Sequence, residues 1–95
     1  MFKGSEIYVP NAFSPNGDGV NDLLHVITIG LMEFKYFVIY NRYGEKVFYT
    51  TVAAKGWDGT WKGKAQNAGG FAWVAEGVDY KGKAMVRKGT VLIVR

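Results

Sequence analysis

The sequence predicts an all-β domain, and three observations carry that expectation. Apolar, β-branched and aromatic residues gather in short runs, as half-buried strands require. Gly, Asn and Asp interrupt those runs at close spacing, the punctuation of a sandwich or barrel rather than of helices. The only stretch without early breakers, residues 23–33, contains Val26, Ile27, Thr28 and Ile29, which favour strand.

The elements follow in order. A first strand is expected over residues 6–9, closed by Pro10 and Asn11. A turn-rich loop, Ser14-Pro15-Asn16-Gly17-Asp18-Gly19, leads into a strand over residues 23–29. Residues 34–40 are aromatic and β-branched, as a central strand is. Asn41-Arg42-Tyr43-Gly44 turns that strand into residues 45–50, forming a hairpin around Gly44. The glycine spacing of residues 56–63 permits only short extended pieces. In residues 71–75 large and small side chains alternate, so Phe71 and Trp73 share a face. A second hairpin turn at Tyr80-Lys81-Gly82-Lys83 precedes the last strand, residues 84–95, in which Gly89 marks a bulge. About seven strands in so short a chain imply one domain, residues 1–95, built as an immunoglobulin-like antiparallel β-sandwich.

Composition narrows the functional classes. The 95 residues suffice for one small core, and 16% aromatic content supplies large buried areas per side chain. The absence of cysteine excludes disulfides and thiolate metal sites. A formal charge of +4 is a mild basic excess with no reader motif beside it, so nucleic acid is not an expected partner. No apolar run approaches the ~20 residues of a transmembrane helix. The opening residues 1–6 lack the charged leader and apolar core of a signal peptide, so an exported chain would need its export signal elsewhere.

Enzyme chemistry finds little footing. His25 is the only histidine, Ser5 and Ser14 are the only serines, and neither serine lies in a nucleophile elbow. A small sandwich also offers its scattered carboxylates no evident substrate cleft. No catalytic residues and no obligatory cofactor are expected. Calcium is the one metal worth weighing: Asn16, Asp18 and Asp22 place oxygen ligands along one loop. The EF-hand template fails there, since Asn21 stands where its glycine should be and Ile27 where its glutamate should be. A turn bonded to its own backbone is the plainer reading of that loop. Trp57 and Trp61 raise a different alternative, an aromatic platform for a carbohydrate-binding or adhesion module on the cell surface.

Several blocks together carry a resemblance. Pro10-Asn11-Ala12-Phe13-Ser14-Pro15-Asn16-Gly17-Asp18-Gly19-Val20-Asn21-Asp22 resembles the opening signature of gliding-motility-associated C-terminal domains. Ile39-Tyr40-Asn41-Arg42-Tyr43-Gly44-Glu45-Lys46-Val47-Phe48 is similar to the family's middle signature, with Tyr43 where tryptophan is usual. Gly56-Trp57-Asp58-Gly59-Thr60-Trp61-Lys62-Gly63 is similar to its third block, and Gly82-Lys83 followed by Gly89-Thr90-Val91-Leu92-Ile93-Val94-Arg95 to its closing strand. The chain departs from the family at Gln66-Asn67-Ala68-Gly69-Gly70-Phe71, where a proline and then a valine-tyrosine pair are common.

The resemblance implies a type B sorting domain of the type IX secretion system of Bacteroidota, at the C-terminus of a larger secreted or surface protein. It implies upstream cargo domains in the same chain and an outer-membrane partner of the gliding-motility type. It implies transit through the periplasm and delivery to the cell surface or beyond. The family motif falls on Asn16, Gly17, Asp18, Gly19, Asn21, Asp22, Asn41, Arg42, Gly44, Trp57, Asp58 and Gly59.

The tail adds a physical argument. Residues 91–94 are apolar at every position, whereas a strand with one wet face alternates. Either another segment covers the second face, as in an ordinary central strand, or that face is offered to a partner. A strand near a sheet edge is also open to reading by β-augmentation. Gly89, Thr90, Val91, Leu92, Ile93, Val94 and Arg95 are therefore the candidate recognition segment.

Overall fold

The longest apolar strands occupy the middle of the main sheet, where neighbours on both edges satisfy their backbone groups. The computed structural model describes residues 4–15 and 22–94. Among them nine strands occur: β1 (Glu6–Tyr8), β2 (Ala12–Phe13), β3 (Ile27–Ile29), β4 (Glu33–Tyr40), β5 (Lys46–Thr50), β6 (Thr60–Trp61), β7 (Lys64–Ala65), β8 (Gly69–Val78) and β9 (Ala84–Ile93). A five-stranded sheet runs in the order β2-β9-β8-β4-β5. Two small antiparallel pairs, β1-β3 and β6-β7, complete an all-β, sandwich-like architecture without helices among the described residues.

The expected sandwich is therefore present, with two more short strands than expected and one parallel pairing. β2 lies parallel to β9, with Ala12 beside Leu92 and Phe13 beside Ile93. The strand expected over residues 23–29 is divided, because its parts find different partners. Leu24 bridges Trp57, whereas Ile27–Ile29 pairs with β1.

Alternation decides which side chains enter the core. Phe71, Trp73 and Ala75 of β8 face inward with Phe37 and Ile39 of β4, and with Val91 and Ile93 of β9. Trp57 closes this layer from the other side. Its ring centroid lies 5.2 Å from Phe71, 5.6 Å from Phe13 and 6.5 Å from Phe48. Its indole N–H donates to the Thr60 carbonyl at 2.8 Å, so the polar edge of a buried ring is satisfied.

Gly89 is not a bulge. The β8–β9 register runs unbroken from Gly69–Ile93 to Val78–Ala84, with Gly89 directly opposite Trp73. A Cβ at position 89 would stand 3.2 Å from Cζ2 of Trp73, so the missing side chain is the space the indole fills. The register shifts fall in β4 instead, between Phe34 and Tyr36 against β8 and between Ile39 and Tyr40 against β5.

Both tight hairpin turns have one design. In the first, Asn41 Oδ1 accepts from the N–H groups of Tyr43 and Glu45 at 2.9 and 3.0 Å, while Gly44 adopts φ +79°. In the second, Asp79 Oδ1 accepts from Lys81 and Lys83 at 2.9 Å each, while Gly82 adopts φ +85°. A short side-chain acceptor and a left-handed glycine close each turn.

Candidate interaction surface

Strand directions bring separate sequence blocks to one end of the main sheet. β9 ends there, β8 begins there, β4 and β5 meet there through the Asn41 turn, and β2 ends there because it runs parallel to β9. The opening block is tied to the tail through its backbone. Leu92 N–H donates to the Asn11 carbonyl at 2.8 Å, and Val94 N–H to the Phe13 carbonyl at 3.0 Å. Residues 16–21 lie outside the described residues, and with them Asn16, Gly17, Asp18, Gly19 and Asn21. Asp22 is half-buried.

The tail divides between two faces. Val91 is fully buried and Ile93 nearly so, whereas Leu92 is 52% and Val94 49% exposed. Gly89 is half-buried under Trp73, Thr90 is exposed, and Arg95 lies outside the described residues. Among the described residues no strand covers the face that holds Leu92 and Val94.

The other motif residues act mainly on the fold. Trp57 is the inter-layer plug and is only 2% exposed. Asp58 Oδ1 accepts from the Thr60 N–H at 3.0 Å and from its hydroxyl at 2.6 Å. Gly59 takes φ +83° and its carbonyl accepts from the Gln66 N–H at 2.8 Å. Asn41 and Gly44 build the first hairpin turn. Trp57 and Trp61 do not form an exposed platform, since Trp57 is internal and Trp61 packs half-buried against the same core.

Arg42 differs from these neighbours. Its guanidinium sits 5.6 Å from the ring centroid of Tyr43, which is 77% exposed. The two residues line a cleft of about 410 Å³ together with Asn41 and residues 66–71. The stretch in which the chain departs from the family pattern thus forms one wall of that cleft.

The outer face of the five-stranded sheet holds residues that reading in sequence order overlooks. Tyr36, Val38 and Tyr40 of β4, Val74 of β8, and Lys46 and Tyr49 of β5 line a shallow groove of about 280 Å³. Tyr36 and Tyr49 stack with centroids 6.2 Å apart and planes 21° apart. Val38 is buried beneath them. Burial pushes the Tyr36 phenol up, and its hydrogen bond to the Glu76 carboxylate pushes the same way. The signal was available, because residues 36, 38 and 40 alternate with Phe37 and Ile39 and must share the opposite face.

For catalysis the arrangement offers little. His25 packs against the backbone of Gly56, where a Cβ would stand 2.8 Å from Nε2. Among the described residues no cluster of three or more His, Cys, Asp or Glu side chains is placed to hold a metal. What remains is a surface suited to contact: an apolar strand face at Leu92 and Val94, an aromatic groove and an exposed basic turn.

Comparison of the chain with curated proteins and with solved structures gave no match. The family model of the CHU_C type IX secretion signal domain does match, over residues 7–93. That span takes in the parallel β2–β9 closure, both hairpin turns and the Trp57 plug, and on that match the chain belongs to the type IX secretion signal domain family.

Proposed function

We propose that this domain is a non-catalytic C-terminal address that directs a larger cargo chain across the outer membrane to the cell surface. In this reading upstream domains are the cargo, and a Bacteroidota cell is the setting. The chain passes through the periplasm, where an outer-membrane receptor of the gliding-motility type reads the folded domain. Family membership over residues 7–93 is the observation that carries the reading. Leu92 and Val94, exposed beside the core residues Val91 and Ile93, support a role for the tail in contact.

The test is a fusion of the chain, behind a signal peptide, to a fluorescent reporter in a Bacteroidota host with a working type IX system. Reporter at the surface or in the medium is expected; reporter held in the periplasm overturns the proposal. Deleting residues 89–95 would be a poor probe of the tail, because it removes Val91 and Ile93 from the core. Joint replacement Leu92→Ser and Val94→Ser addresses the contact alone. Loss of export with an unchanged melting temperature is expected, and undiminished export removes the tail from the recognition surface.

A further inference from the structure

Within the Asn41 turn, the side chains divide into those the fold uses and those it does not. Asn41 makes the turn's backbone bonds, and its Nδ2 donates to Glu45 Oε1 at 2.8 Å. Gly44 supplies the left-handed backbone. Arg42 and Tyr43 contact each other and project from the turn. Four residues on, Lys46 Nζ lies 5.1 Å from the Tyr49 ring centroid, and that ring stacks on Tyr36.

A basic, aromatic strip therefore runs from the turn onto the outer sheet face, with a cleft at its tip and a groove along its side. Ion pairs among the described residues form at Lys35–Glu33 and Arg87–Glu6, and neither Arg42 nor Lys46 enters one. Two carboxylates lie near the strip, Glu45 in the turn and Glu76 opposite Tyr36 in the sheet, and neither forms an ion pair with Arg42 or Lys46. Arg and Tyr are the residue types that carry most of the energy at protein interfaces, and complementary charge sets partner choice.

We propose that this strip is a docking surface for a carboxylate-rich segment of the secretion machinery. The segment's acidic side chains pair with Arg42 and Lys46, and its apolar groups lie on Tyr43, Tyr49 and Tyr36. The proposal rests on the sorting reading, and it extends the recognition surface from the tail across the sheet to β5.

The experiment uses the reporter fusion above. R42E/K46E, and the milder R42Q/K46Q, are compared with K81E/K83E, which makes the same charge change in the opposite hairpin turn. Export is expected to fall on the order of tenfold or more for R42E/K46E, less for R42Q/K46Q, and not at all for K81E/K83E. Melting temperatures should stay within about 3 °C of the parent for all of them. If the parent fusion is itself not exported, the sorting reading falls and takes this proposal with it. A parent that is exported equally well as R42E/K46E overturns the docking surface alone. An equal loss in K81E/K83E overturns it too, because net charge would then explain the effect. A photoreactive phenylalanine in place of Tyr43 identifies the partner class. An adduct on an acidic segment of a machinery protein is expected; an adduct on an anionic glycan, or none, overturns the assignment.

Discussion

The two hairpin turns share a plan and differ in what surrounds them. Asn41 and Asp79 each cap two backbone N–H groups, and Gly44 and Gly82 each complete the bend. Each turn also places a cation over its own tyrosine, Arg42 with Tyr43 and Lys81 with Tyr80. The second turn is tied down by the N-terminal segment. Ser5 Oγ accepts from the Tyr80 N–H at 2.8 Å and donates to the Gly30 carbonyl at 2.7 Å, and Glu6 pairs with Arg87 at 3.0 Å. The first turn has no such staple among the described residues, and a cleft opens beside it. The same local chemistry thus makes a closed end and an open end. The difference lies in long-range bonds, and an open end is where a partner can be received.

The comparison can be broken in graded ways. Asn41→Ala and Asp79→Ala should each cost about 2 kcal/mol by denaturant unfolding, since each releases two capped N–H groups. A cost at one turn only would show that the two caps are not equivalent. Gly44→Ala and Gly82→Ala should each cost about 1 kcal/mol. Neither position has an atom within 4 Å of an added Cβ, so the cost is conformational and should match at both ends. Ser5→Ala should lower stability by about 1 kcal/mol and speed amide exchange at Tyr80 while leaving Tyr43 unaffected.

Tyr43→Ala should change stability by less than about 0.5 kcal/mol, because the open end spends no packing on that ring. A further modest effect belongs to pH. The Ile7 N–H bonded to Glu6, aided by Arg87, holds that carboxyl below its ordinary range. Its contribution is present above the ordinary carboxylate pKa and is lost as pH falls through the lowered folded value. Both groups are half-exposed, so the loss should stay under about 1 kcal/mol, and Glu6→Gln should flatten that part of the acid titration.

Local chemistry was the legible part of this molecule. The Asn41 and Lys81 turns, the central β4 strand and the shared face of Phe71 and Trp73 depend on residues close in sequence, and each is found where expected. Gly89 was not legible, because a glycine in a strand marks either a bulge or a close approach, and only the pairing partner decides. That partner, Trp73, lies far away in sequence. Trp57 was ambiguous for the same reason: among glycines nothing nearby shows that Phe13, Phe48 and Phe71 surround it. The motif blocks were visible as a resemblance, yet their division of labour was not. Asn41, Asp58 and Gly59 hold turns, whereas the Arg42 side chain lies over Tyr43 and bonds to no turn backbone.

The last strand of the domain joins two tasks in one element. Val91 and Ile93 fill the core, and the pairing that anchors β2 runs through Leu92 and Val94. Without these residues the core would lose two side chains and β2 the backbone bonds that hold it. Closure of the sheet and display of the outer face of β9 are therefore completed by the same few residues.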